Sequence, residues 1–104
     1  MEMKLLIITS IKECQDKVTD IFKETEIEVF SVSEIAGFKE GSSVSLTPSW
    51  FGSGGDSYNS IMLFSFTQKE KAEKVLELIK EYNKAEEVDF PIRGFVLAVE
   101  QFGF

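Results

Sequence analysis

The chain carries one local pattern twice, offset by 57 residues, and that echo restricts what it can fold into. In the first copy a run of mostly branched apolar residues, Met3-Lys4-Leu5-Leu6-Ile7-Ile8-Thr9, leads into Ser10-Ile11-Lys12-Glu13. In the second, Ser60-Ile61-Met62-Leu63-Phe64-Ser65-Phe66 leads into Thr67-Gln68-Lys69-Glu70. Each Ser/Thr-x-x-Glu has the form of a capping box, in which the hydroxyl accepts from a free helical N–H and the carboxylate reaches back. An apolar stripe at helical spacing follows each one. Its members are Ile11, Cys14, Val18, Ile21 and Phe22 in the first copy, and Ala72, Val75, Leu76, Ile79 and Tyr82 in the second. The stripes predict one helix ending near 24–26 and another running to about Lys84.

Two further strands complete the pattern, at 27–35 (Ile-Glu-Val-Phe-Ser-Val-Ser-Glu-Ile) and at 94–101 (Gly-Phe-Val-Leu-Ala-Val-Glu-Gln). An acidic connector with one proline, 85–93, precedes the last strand. The order βαββαβ is a split βαβ repeat, the α+β ferredoxin-like sandwich of one antiparallel sheet with two helices on one face. Each crossover is expected to be right-handed. At 104 residues the chain reads as one domain, 1–104. One sheet face has no helix over it, yet the strands are apolar on both faces. Another subunit is the simplest cover for it.

The repeat is interrupted between its second and third strands. Residues 37–59 hold five of the seven glycines, Gly37, Gly41, Gly52, Gly54 and Gly55, together with many serines. A loop of this length inside a small domain is usually functional or disordered. Within it Trp50 and Phe51 follow Pro48, and Tyr58 lies near its end. Large aromatics are costly to leave in water, so they either fold back on this chain or a neighbouring subunit, or anchor a protein partner. Gly52-Ser53-Gly54-Gly55 lacks the Lys-Ser/Thr of a phosphate-binding P-loop and reads as flexible chain.

Composition narrows the chemistry. There is no His and one Cys, so imidazole catalysis, His/Cys zinc sites and disulfide scaffolds are excluded. The net charge of −7 argues against nucleic acid as a partner. Cys14 lies on the first helical stripe and reads as a small buried hydrophobe. An unpaired thiol and the lack of a leader-like or membrane-spanning run point to a cytoplasmic protein without direct membrane insertion. No catalytic residue and no metal-ligand cluster stands out. Arg93, the only arginine, sits where the connector enters the last strand. It forms either a surface or inter-subunit salt bridge, or a contact to an anion.

Val32-Ser33-Glu34-Ile35-Ala36-Gly37-Phe38 resembles the end of the second strand in the P-II signal-transduction family of nitrogen regulation. There a Val-x-Glu-Val-x-Gly-Phe stretch opens a long T-loop. The order of elements, the place of the long loop and the closing Phe95-Val96-Leu97-Ala98-Val99 extend the likeness over nearly the whole chain. The resemblance implies a homotrimer with bare sheet faces inward, a small effector bound in clefts between subunits, and a T-loop, here 37–59, that docks onto a regulated enzyme or membrane transporter. It assigns Ser31, Gly37, Phe38, Lys39 and Arg93 to the effector cleft, and Trp50, Phe51 and Tyr58 to the partner-binding loop. The family's Gly-Asp-Gly-Lys type of phosphate loop is replaced by Phe90-Pro91-Ile92-Arg93. The effector is therefore left open, with an adenine nucleotide as one candidate. A divalent-metal-responsive protein of the CutA type, using carboxylates and carbonyls, is the alternative function. An enzyme on this fold is the weakest reading.

Overall fold

The computed structural model describes residues 2–38, 57–86 and 90–103. Strand β1 (Met3–Ile11) leads through a 3-10 turn (Lys12–Cys14) into helix α1 (Gln15–Glu24). Strands β2 (Ser31–Phe38) and β3 (Ser57–Gln68) follow, then helix α2 (Lys69–Glu86) and strand β4 (Arg93–Ala98). The four strands form one sheet in the order β2-β3-β1-β4, with every neighbouring pair antiparallel. This is the ferredoxin-like α+β sandwich expected from the repeat.

Side chains of successive strand residues point to opposite faces, so the cross-strand register assigns each residue to a layer. Leu6, Ile8, Ile61 and Leu63 lie on the helix side and are fully buried with Val18 and Phe22 of α1 and Ala72 and Val75 of α2. Ile21, Ile27, Ile79 and Ile92 close the same core. Phe22 meets Phe30 edge to face, with ring centroids 4.9 Å apart. Both helical stripes read from the sequence therefore face the sheet. Cys14, Leu76 and Tyr82 pack at the margin of this core.

The first expected capping box is not formed. Ser10 and Ile11 are paired with Ile61 and Ser60, which carries the backbone of the would-be cap into the sheet ladder. The Ser10 hydroxyl instead donates to the Ile11 carbonyl, 3.0 Å away. No side chain caps the 3-10 turn or α1. At the second box, β3 continues through Gln68 and Thr67 lies opposite Lys4, so α2 begins only at Lys69. Glu70 then falls in its first turn, where its charge suits the helix dipole.

Helix α1 stops by a Schellman arrangement. Glu26 takes the left-handed conformation (φ 62°), the Ile27 N–H reaches the Phe22 carbonyl at 2.9 Å, and the Glu26 N–H reaches that of Lys23 at 3.2 Å. Thr25 Oγ1 donates to the Ile21 and Phe22 carbonyls. The chain leaving this turn belongs to no strand over 27–30, so β2 starts four residues later than expected. The Ser65 hydroxyl holds it alongside β3 through the Val29 carbonyl at 2.7 Å.

The long connection is shorter than its composition implies. Gly37 pairs with Tyr58 and Phe38 with Ser57, so both ends of the expected 37–59 loop are strand. Ladder pairing that continues in register overrides the weak strand preference of Gly, Ser and Asn. The expected loop residue Tyr58 thus belongs to β3. Residues 39–56 lie outside the described part of the chain. The last strand also differs, ending at Ala98 rather than at 101.

Candidate functional site

The second sheet face is built from the alternate residues of the same strands. Across its middle run three rows: Ser33, Met62, Thr9 and Arg93; then Ser31, Phe64, Ile7 and Phe95; then Phe66, Leu5 and Leu97. Among the described residues no helix covers this face. Phe66 is 58% exposed and Leu97 45%. Folded monomers rarely leave a contiguous apolar surface of this kind in water.

The candidate effector residues divide between the two edges of the sheet. Ser31, Gly37 and Phe38 belong to edge strand β2, and Arg93 belongs to the opposite edge, β4. Three inter-strand spacings separate these edges, about 14 Å. Within one chain the fold therefore does not bring Arg93 to the β2 group. Lys39, Trp50 and Phe51 lie outside the described residues, and Tyr58 is placed only by its register opposite Gly37.

A residue that sequence reasoning missed anchors the backbone just before Arg93. Late in α2, the Asn83 amide Nδ2 donates to the Ile92 carbonyl at 2.8 Å, and the Ile92 N–H donates back to Asn83 Oδ1 at 3.0 Å. Ile92 itself is 1% exposed. A polar residue near the end of a charged helix looks like solvated surface. Only its weak fit to a helix interior sets Asn apart from its neighbours. Beyond Arg93, Gly94 lies directly under α2, where an added Cβ would sit 2.6 Å from Leu76 Cδ2.

Elsewhere on the molecule, Lys17 Nζ stands 5.2 Å from the centre of the Tyr82 ring, and the Tyr82 hydroxyl is hydrogen-bonded to Cys14. Burial pushes the Cys14 thiol up from its ordinary range, against the opposing pull of Tyr82. Burial, with Cys14 next to it, also raises the Tyr82 phenol. This thiol is thus not poised as a nucleophile. A groove of about 340 Å³ opens beside Val29, Phe66 and Lys71, and one of about 500 Å³ beside Thr19, Lys23 and Phe30. Neither contains a candidate effector residue. Among the described residues no three Asp, Glu or Cys side chains converge as a metal site. None of the described helices is long and apolar enough to cross a membrane.

The sequence matches no family model and no curated protein. Its fold, in contrast, matches solved structures over nearly the whole length of this chain. CPII of Thiomonas intermedia K12, a nitrogen regulatory PII-like protein bound to ADP, AMP and bicarbonate, aligns with a TM-score of 0.62 at 16% identity, covering 97% of this chain and 96% of that one. The apo form of CPII aligns with a TM-score of 0.58 at 15% identity, covering 95% and 92%. Arabidopsis thaliana PII bound to citrate aligns with a TM-score of 0.65 at 16% identity, covering 94% of this chain and 78% of that one. The chain has the PII-like fold.

Proposed function

We propose that this chain is a PII-like regulatory protein that works as a homotrimer, holds a small effector between subunits, and signals its occupancy to a protein partner. The observation that carries this reading is the division of the candidate site. Ser31, Gly37 and Phe38 stand on one sheet edge and Arg93 on the other, with an apolar face between them. Copies that pack these faces together bury Phe64, Phe95, Leu5 and Leu97 and bring the β2 edge of one subunit towards the β4 edge of the next. The cleft so formed then has Arg93 on one wall and the hydroxyl of Ser31 on the other. The PII-like neighbours are bound to small polar molecules, which agrees with such a cleft.

Residues 39–56 connect the two strands that end beside Gly37, so an effector there sits at the root of the loop. Trp50 and Phe51 are the residues we assign to partner contact, with a membrane transporter among the candidate partners and the cytoplasm as the expected compartment. Sedimentation velocity tests the assembly. A trimer is expected at micromolar concentration, and a monomer refutes the reading. Phe95→Asp places an unpaired charge in the packed face and is expected to return the protein to monomers.

A further inference from the structure

Between the α1 stop and the start of β2 the chain does something its residues do not favour. Ile27, Val29 and Phe30 are strand formers, yet residues 27–30 belong to no strand. The β2–β3 register, continued past Ser31 and Phe64, would set Val29 opposite Phe66 and Glu28 opposite Thr67. Strand β3 itself runs on to Gln68, paired with β1. The sheet therefore parts on one side of β3 only, and a groove of about 340 Å³ opens there. Departures from local preference of this kind concentrate at functional sites.

Both walls of the groove are fixed. One is β3, held in the sheet with Phe66 opposite Leu5 and Thr67 opposite Lys4. The other is tied at three points. Ile27 is buried in the core, the Val29 carbonyl accepts from the Ser65 hydroxyl at 2.7 Å, and the Glu26 carbonyl accepts from Lys71 Nζ at 2.9 Å. A cleft held open in advance loses little freedom when a ligand enters. Its volume lies at the lower end of the range for small-molecule sites, roughly 300–1,000 Å³.

The lining indicates the chemistry of the ligand. Val29, 82% exposed, and the exposed Phe66 supply apolar surface. The Lys71 ammonium uses one N–H on Glu26 and has two more to donate. Glu28 lines the same groove, and among the described residues it forms no ion pair with Lys71. A cation and an anion that share a groove without meeting suit a ligand that carries both opposite charges.

We propose that this groove binds a free α-amino acid with an apolar side chain. The ligand carboxylate meets Lys71, its ammonium meets Glu28, and its side chain lies against Val29 and Phe66. The site is contained in one chain and uses none of the residues assigned to the effector cleft, so it stands or falls apart from that reading.

The full chain, labelled with nitrogen-15, is titrated with L-leucine while the backbone amide resonances of Glu28, Val29, Phe66 and Thr67 are followed. Three analogues are titrated alongside it: leucinamide lacks the carboxylate, N-acetyl-leucine lacks the ammonium, and glycine lacks the side chain. Leucine is expected to shift these resonances in a saturable way. Each analogue is expected to bind about fivefold or more weakly, the scale of one partly exposed charge pair or of a lost apolar contact. Lys71→Gln, which keeps a donor for the Glu26 carbonyl, should weaken leucine about fivefold and leave it no better than leucinamide. Glu28→Gln should do the same relative to N-acetyl-leucine. If a variant does not fold, the analogues on the unaltered chain decide the same question.

No saturable shift with leucine at millimolar concentration overturns the proposal. So does equal binding of leucine and the two charge-deleted analogues, which marks apolar adhesion alone. Unchanged leucine affinity in a folded Lys71→Gln or Glu28→Gln variant overturns it as well.

Discussion

Replacing Gly94 with alanine tests how closely α2 lies on β4. An added Cβ would stand 2.6 Å from Leu76 Cδ2, 3.2 Å from Ile8 Cδ1 and 3.3 Å from Ile79 Cδ1. Carbon atoms rest comfortably at roughly 3.5–4.0 Å, so all three contacts are short. Leu76 is only partly buried and can swing its tip away, but Ile8 is 0% and Ile79 3% exposed and have little room to retreat. Overpacking of this kind costs about 1–3 kcal/mol. Alanine returns about 0.5–1 kcal/mol by restricting the unfolded chain. The net expectation is a loss of about 1 kcal/mol, which at an m-value of about 1 kcal/mol/M lowers the urea midpoint by roughly 1 M. Circular dichroism at fixed protein concentration reads it. The mechanism also makes a second demand. In a Leu76→Ala background the shortest contact is gone while those with Ile8 and Ile79 remain, so the same glycine substitution should cost less. An equal loss in both backgrounds, or a gain of stability in the wild type, refutes the packing argument.

Phe22→Ala empties a fully buried site that also supports Phe30, and should cost about 3–5 kcal/mol in chemical denaturation. Glu26→Gly relieves a left-handed residue in the α1 stop while leaving its carbonyl for Lys71, and should raise stability by about 1 kcal/mol in the same assay. Cys14 should alkylate with iodoacetamide more slowly than a free thiol at mildly alkaline pH, with a midpoint above the ordinary thiol range, and Tyr82→Phe should slow it further by removing the donor that favours thiolate. Because the folded thiol holds its proton to higher pH than the unfolded one, its contribution to stability is present below the ordinary thiol pKa. That contribution fades as pH rises towards the folded value, and Cys14→Ala should flatten this part of the pH–stability curve.

The two helices and the core were legible because their signal is periodic. Val18, Ile21 and Phe22, and Ala72, Val75 and Ile79, can face the sheet only if the chain is helical there. The helix starts were not legible, because a Ser or Thr followed by Glu describes a local option and strand pairing of Ser10 with Ile61 outcompetes it. The loop ends were misread for a similar reason. Gly37 and Ser57 are poor strand formers taken singly, and only their pairing across the hairpin makes them strand. The separation of Ser31 from Arg93 follows from strand order, a property of the whole sheet rather than of any segment. Asn83 was invisible because its role depends on meeting Ile92, nine residues away and beyond the end of the helix.

Strand β1 lies inside the sheet and both of its partners come later in the chain, residues 60–68 on one side and 93–98 on the other. On a ribosome it emerges before either partner and must wait. At ordinary elongation rates the 45 residues that separate its end from the start of β3 take roughly 2–9 s to appear, and β4 comes later still. Throughout that interval the most apolar strand of the protein has no sheet to join. Alternation makes Leu5 and Ile7 just as sticky as Leu6 and Ile8, so either side of it can adhere to another nascent chain. A protein arranged this way depends for its yield on being shielded, or on keeping its emerging chains apart, until its last strand is made.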